Sequence, residues 1–311
     1  MHPIRNSDRL TLQSRRRIAT IRGLSIDFRE NCFKSIVSER MIPPAPLVTP
    51  VSPSLAQRFT PDEVLQFQRD GYLIVRGMVE PDVCRRMLEI THEGLAGPIE
   101  PVEYEADLRY PGAPESRAVQ GGHTIRRLKE AQSRHPLFTD WVRRTDHVGR
   151  LQQLLGQRVV MPLAHHNCIM TKQPNFSSET HWHQDIRYWS YSRPELVSDW
   201  LALGTESVDN GCLHLIPGTH VMNFARHRFD EALFLRPELP ENAELIASQV
   251  PAELEPGDVL FFHCRTFHAA GRNKTHQPKF SVVFTYRPED NPPVLGSRSA
   301  SMPEILMPPV L

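Results

Sequence analysis

Three things are missing from this chain of 311 residues, and each absence narrows what it can be. Net charge is the first: 36 Lys and Arg are matched by 36 Asp and Glu. Neither a nucleic-acid surface nor an anionic membrane is indicated as a partner. Paired cysteines are the second. Five occur, at 32, 84, 168, 212 and 264, an odd number with no CxxC. Free thiols in a reducing compartment are expected, and with them a cytoplasmic location. Long apolar runs are the third, since none approaches the ~18 residues of a membrane span. No internal repeat stands out either. What the chain does have is punctuation. Its 28 prolines and 16 glycines separate short segments, which favours turns and strands over a helical bundle. The length is ample for one large domain or two modest ones.

Residues 1–57 read differently from the rest. Arg15, Arg16 and Arg17 form a basic cluster, extended by Arg5, Arg9 and Arg22. A mitochondrial transit peptide is Arg-rich and poor in acids, and Asp8, Asp27, Glu30 and Glu39 count against one. A disordered or artefactual extension is expected, with Met41 an alternative first residue. Pro43, Pro44, Pro46, Pro50 and Pro53 then make an extended linker. The folded domain is expected over 58–295, and 296–311 as a C-terminal tail.

Thr60-Pro61-Asp62-Glu63 is a helix start, with Thr60 as N-cap and Glu63 closing a capping box. Gly71 ends that helix, and Tyr72–Val75 follows as a strand. Glu80-Pro81-Asp82 opens a second helix, residues 97–122 read as a loop or lid, and one helical pattern runs from 136 to 155. After Gly156 the character turns to strands. Val159–Thr171 is one, with His166, Cys168 and Met170 on one face and Asn167, Ile169 and Thr171 on the other. Trp200–Gly204 and Cys212–Ile216 are others, with a hairpin turn signal at Asp209-Asn210-Gly211 before the second. Val259–His263 and Phe280–Tyr286 complete the set, and 221–248 reads as charged loop with a short helix. Short strands with Gly/Pro turns, preceded by helices, predict a mainly β fold with flanking helices, an antiparallel barrel with the helices outside.

The chemistry gathers at Thr180-His181-Trp182-His183-Gln184-Asp185. On a strand, His181, His183 and Asp185 share one face. Adjacent same-face residues lie about 6–7 Å apart, close to what one ion bridges, whereas His181 and Asp185 are twice that. The pair is therefore His181/His183 or His183/Asp185, and a carboxylate-containing set suits iron. Two imidazoles and one carboxylate hold iron(II) on one face and leave the other open for dioxygen and a co-substrate. A bare His-x-Asp is more often a surface pair, so the third ligand matters. His263, His268 and His276 are the candidates. His263 ends an apolar run, while Ala269-Ala270-Gly271 after His268 leaves room for an ion, which favours His268. The open face implies a bidentate co-substrate such as 2-oxoglutarate, whose distal carboxylate needs a cation. Lys279, eleven positions after His268, is the candidate.

His183-Gln184-Asp185, Asn210-Gly211-Cys212-Leu213, Ile216-Pro217-Gly218-Thr219-His220, Pro256-Gly257-Asp258 and the run from His263 through His268 to Asn273-Lys274-Thr275 resemble the phytanoyl-CoA dioxygenase family. Asp70-Gly71-Tyr72-Leu73 is similar to its N-terminal signature. The likeness covers residues 58–290. It implies a double-stranded β-helix, the cupin-like jelly roll. It also implies His183, Asp185 and His268 as ligands of Fe(II), 2-oxoglutarate as co-substrate, and hydroxylation with release of succinate and carbon dioxide. By the same likeness, His166 on the preceding strand touches the co-substrate. Asp185, where the halogenating variant has Ala or Gly, speaks against halogenation. Two positions depart from the pattern: Lys279 stands where an Arg is usual, and Ala270 where a Ser or Thr is usual. A lysine offers a carboxylate a point charge rather than a planar fork. The expected partners are dioxygen and a small-molecule substrate, in a monomer or homodimer. An acyl-CoA substrate and an inactive metal-binding barrel are the alternatives.

Overall fold

The computed structural model describes residues 58–310, so the extension and linker expected over 1–57 lie outside the described residues. Helix α1 (Pro61–Asp70) starts as its sequence requires. The Thr60 hydroxyl accepts from the Glu63 amide, the Glu63 carboxylate accepts from the Thr60 amide at 2.7 Å, and Gly71 closes the helix at φ 77°. Next come β1 (Tyr72–Val75), α2 (Pro81–Ala96), β2 (Val102–Tyr104), α3 (Glu105–Leu108), β3 (Ile125–Lys129), α4 (Ala131–Arg134), α5 (Pro136–Arg143) and α6 (Thr145–Leu155). The strand-rich half contains β4 (Val159–Pro162), β5 (Asn167–Lys172), β6 (Thr180–His183), β7 (Val197–Ala202) and β8 (Leu213–Ile216). Then follow α7 (Pro240–Ala247), β9 (Val250–Ala252), β10 (Val259–His263), β11 (Phe267–Ala270), β12 (Lys279–Pro288) and β13 (Glu304–Leu306).

The single helical pattern read over 136–155 is two helices. Arg144 between them is extended because its guanidinium is drawn to Asp146 at 2.6 Å and to the Met78 carbonyl at 2.6 Å. No proline or glycine marks that break; a local contact to Asp146 and long-range contacts to Met78 and Glu80 accompany it. The strand read over 159–171 likewise divides, and the turn between β4 and β5 carries His165 and His166. Within 97–122, β2 and α3 interrupt the expected loop. Residues 296–310 do not hang free: β13 pairs with β4, and Met307 is buried.

The strands form two antiparallel sheets. The larger has nine strands, with the path β1-β10-β7-β12-β5-β3-β2, β4 attached at β12 and β13 at β4; the smaller runs β6-β11-β8-β9. Alternation along β12 sorts the side chains. Val282, Phe284 and Tyr286 face outward onto Phe138, Trp141, Val148 and Leu151 of α5 and α6, and Met87 of α2 joins that layer. Val283 faces inward with Cys168, Trp200, Leu260 and Phe262 against Leu213, Leu215 and Ala270 of the smaller sheet. Each fully buried side chain of this size contributes roughly 1.5–3 kcal/mol. The result is a jelly roll with helices on its outer face, and the space between the sheets holds the site. Among the described residues no helix is long and apolar enough to cross a membrane.

Candidate metal centre and co-substrate cavity

Strands β6 and β11 lie antiparallel, and His183 is the direct partner of His268. Their rings stand 4.1 Å apart between centroids. Asp185 does not continue β6 as the alternation predicts. The strand ends at His183, and Asp185 opens a short 3-10 helix, Asp185–Tyr188. The Ile186 amide donates to the Cys264 carbonyl at 3.1 Å, and Ile186, Trp189, Leu196 and Cys264 bury one another. That small apolar cluster pulls the chain out of the sheet and turns the carboxylate toward the histidines. Asp185 Oδ1 lies 3.7 Å from His183 Nε2 and 3.6 Å from His268 Nε2. All three side chains are buried, with donor atoms within 4.8 Å of one another, and this is the metal-competent group among the described residues.

The imidazole orientations test whether a metal fits. His183 Nδ1 lies 2.8 Å from the His181 carbonyl and His268 Nδ1 lies 3.1 Å from the Thr266 carbonyl. A carbonyl only accepts, so each Nδ1 carries the hydrogen and each Nε2 turns a lone pair toward the shared centre. Burial lowers both imidazoles from their ordinary range, and at His183 the His268 ring acts in the same direction while the Asp185 carboxylate opposes it. Burial alone would raise the Asp185 carboxyl, but the imidazoles of His166 and His268 hold it far below the usual carboxylate range. Its Oδ2 faces His166 Nε2 at 3.2 Å, so Oδ1 is the oxygen turned to the two Nε2 atoms. A buried anionic oxygen beside two neutral nitrogen lone pairs is a donor set that a divalent cation completes.

The histidines that compete in the sequence fall elsewhere. His181 is exposed, with its ring centroid 5.8 Å from that of Phe234, and serves the site through its carbonyl. His263 packs 5.4 Å from the His220 ring and accepts from the Arg265 amide, and His276 is exposed.

The three donors open on a cavity of about 610 Å³ between the sheets. Trp189, Tyr188 and Arg187, expected at the substrate entrance, line it, as do Arg126 and Arg127. Both arginines are engaged. Arg126 donates to Glu105 at 3.2 Å, Ser178 at 2.6 Å and Thr180 at 3.0 Å, while Arg127 lies 3.3 Å from Glu103. Lys279 and His166 also reach the cavity. His166 Nε2 stands 3.2 Å from Asp185 Oδ2. Burial opposes its charge, but the Asp185 carboxylate prevails and raises the imidazole to about 9.

The profile of the phytanoyl-CoA dioxygenase family (PhyH) matches residues 67–281. The chain belongs to that family. The "probable phytanoyl-CoA dioxygenase" of Caenorhabditis elegans is 21% identical over 231 residues, which are 72% of this chain and 74% of the relative. The ectoine dioxygenase of Bordetella bronchiseptica is 24% identical over 262 residues, 78% of this chain and 80% of its own. Among solved structures, EctD from S. alaskensis with 2-oxoglutarate and 5-hydroxyectoine superposes with a TM-score of 0.63 at 22% identity, covering 76% of this chain and 78% of EctD. The cupin-like jelly roll is thus the fold, and as a phytanoyl-CoA dioxygenase family member this chain is an iron(II)- and 2-oxoglutarate-dependent dioxygenase.

The sequence alone does not single out two residues of this family member, Lys172 in the cavity lining and Glu206 behind it. Lys172 and Glu206 are both buried beside Lys279. The inward row His166, Cys168, Met170 extends by one more step to Lys172, so alternation alone places that lysine. Glu206 carries no such signal, because it sits in the connection after β7.

Proposed function

We propose that His183 Nε2, Asp185 and His268 Nε2 hold iron(II), and that the cavity beside them takes 2-oxoglutarate together with a small organic metabolite that is hydroxylated. The observation that carries this reading is the buried three-donor cluster opening on the cavity between the sheets. Iron(II) bound there with 2-oxoglutarate and dioxygen supplies the oxidising chemistry, with succinate and carbon dioxide leaving as the substrate gains a hydroxyl. The chain's own residues bind, orient and exclude water. The Nδ1 hydrogen bonds to the carbonyls of His181 and Thr266 hold the two rings in one tautomer and one orientation. His166 steadies the second oxygen of Asp185 and reaches the space beside it, which suits the co-substrate contact expected of it. Trp189 shields the centre from bulk water, since its ring packs on His165 and His166.

A cavity of about 610 Å³ lies in the range that holds drug-sized ligands, which favours a small metabolite over an acyl-CoA. Buried thiols at Cys84, Cys168, Cys212 and Cys264 suit a reducing, cytoplasmic setting. The test is a succinate-release screen over a metabolite panel with iron(II) and 2-oxoglutarate. A metabolite that stimulates succinate formation in the intact enzyme and not in Asp185→Ala supports the reading, and turnover undiminished in that variant overturns it. A metal-binding barrel without turnover draws support from one observation, the engagement of Lys279 by Glu206. Failure of the iron- or manganese-loaded protein to bind 2-oxoglutarate at millimolar levels selects that second reading.

A further inference from the structure

Given the iron(II)/2-oxoglutarate reading proposed above, we infer that Lys172, rather than Lys279, supplies the uncompensated cation that receives the distal carboxylate of 2-oxoglutarate. Lys172 closes β5, and alternation from Cys168 and Met170 puts its side chain on the inward face. Its direct partner across the sheet is Lys279, the first residue of β12. Two buried lysines therefore enter the cavity side by side, on the same cavity wall system as His183, Asp185 and His268. Two ammonium groups so placed each need a counter-ion.

Lys279 has one. Its Nζ lies 2.8 Å from Glu206 Oε2, and both side chains are almost wholly buried. Glu206 is in turn held by Trp200 Nε1 at 2.8 Å and Ser281 Oγ at 2.5 Å. This pair is neutral as a unit, so a second carboxylate arriving at Lys279 meets the repulsion of Glu206 along with the attraction of the ammonium. Lys172 has no such partner. Its Nζ donates to the Ser178 carbonyl at 2.9 Å, one neutral acceptor for a group with three donors. Of the two acids whose charge reaches it, Glu105 is occupied by Arg126 and by the Ser178 hydroxyl at 2.6 Å, and Glu179 is exposed. Among the described residues no carboxylate lies within ion-pair distance of Lys172. Burial accordingly lowers its ammonium to about 7, with the charges of Arg126 and Lys279 acting in the same direction. The chain also keeps space beside the stem of Lys172. A side chain on Gly211 would lie 2.9 Å from Lys172 Cδ and 3.0 Å from Cε. A dianion with one end at the metal and the other at Lys172 provides the counter-ion that the protein withholds.

The experiment is calorimetric titration of the manganese(II)-loaded protein with 2-oxoglutarate and, separately, with 2-oxobutyrate, a 2-oxo acid that lacks the distal carboxylate. Lys172→Met is expected to weaken 2-oxoglutarate roughly ten- to a hundredfold, the size of a lost charge-assisted contact, and to leave 2-oxobutyrate unchanged. Lys172→Arg restores most of the 2-oxoglutarate affinity, and Lys279→Met changes the ratio of the two affinities little. An unchanged ratio in Lys172→Met, whether from intact binding or from equal loss of both ligands, overturns the inference while the intact protein's binding keeps the oxygenase reading. A larger selective loss in Lys279→Met overturns it too. Absence of 2-oxoglutarate binding by the intact protein removes the oxygenase reading itself.

Discussion

His183 and His268 face each other as direct partners on adjacent antiparallel strands, 85 positions apart in the chain, with ring centroids 4.1 Å apart. Each ring is tethered through Nδ1 to a carbonyl two residues before it, which points the two Nε2 atoms at one centre shared with Asp185. The site is therefore held ready by the sheet.

Removing a ligand should empty the site and leave the fold intact. His268→Ala and Asp185→Ala are expected to lose bound iron(II), whereas His181→Ala, whose side chain stays outside the cluster, retains about one iron per chain. Metal analysis after dialysis, with circular dichroism to check the fold, measures this. Removal of Asp185 should also lower the His166 imidazole from about 9, because the carboxylate is what raises it against burial. The direction is read by NMR titration of the metal-free protein.

The pair Lys279–Glu206 makes two opposite predictions for one substitution. Glu206→Gln leaves a buried ammonium short of its anion, a change that costs up to roughly 3–5 kcal/mol, with about 2–4 °C of melting temperature per kcal/mol in a domain of this size. Yet it also frees the positive charge of Lys279. Placed in the Lys172→Met background, Glu206→Gln should recover part of the lost 2-oxoglutarate affinity. Thermal melts and ligand titration on the same samples separate the two effects.

Gly211 carries both a backbone and a packing demand. Its φ of 78° favours glycine, and a Cβ there would lie 2.5 Å from the Gly271 carbonyl as well as against Lys172. Gly211→Ala should destabilise by about 1–3 kcal/mol and weaken 2-oxoglutarate more than 2-oxobutyrate, since it displaces the lysine stem. Denaturant unfolding and the same titrations check both.

Acid should erode stability through two half-buried histidines that are not in the three-donor cluster, His263 and His165. Burial, with His220 and Arg265 adding their charges, lowers His263 from 6.5 to about 3. Burial, with His166 and Arg298, does the same to His165. Between those limits the unfolded chain binds protons that the folded chain refuses. The stability is complete above about pH 6.5 and falls as the pH drops toward 3, by at most about 1.4 kcal/mol per pH unit for each histidine. His263→Gln should flatten that slope, as measured by urea unfolding at a series of pH values.

What the sequence determined by itself was local. The Thr60–Glu63 capping box, the Gly71 stop and the inward row through Cys168 and Met170 depend on residues a few positions apart, where backbone preference and strand alternation act, whereas the turn at Asn210-Gly211 joins strands of different sheets instead of the hairpin its sequence signals, and His166 lies in the turn before β5. The residue types of His183, Asp185 and His268 were also legible, together with the family they resemble. Tertiary structure decided the rest. The β6–β11 register set His268 rather than His263 opposite His183. The apolar cluster around Ile186 and Cys264 turned Asp185 out of its strand, and Arg144, bonded to Met78 and Glu80 as well as to Asp146, divided a helix that has no proline or glycine at the break. Lys279 met Glu206 across 73 positions, which left Lys172 as the lysine without an acid. Such pairings are selected by which buried charges and apolar faces the folded sheets bring together, and no short window of the chain contains both partners.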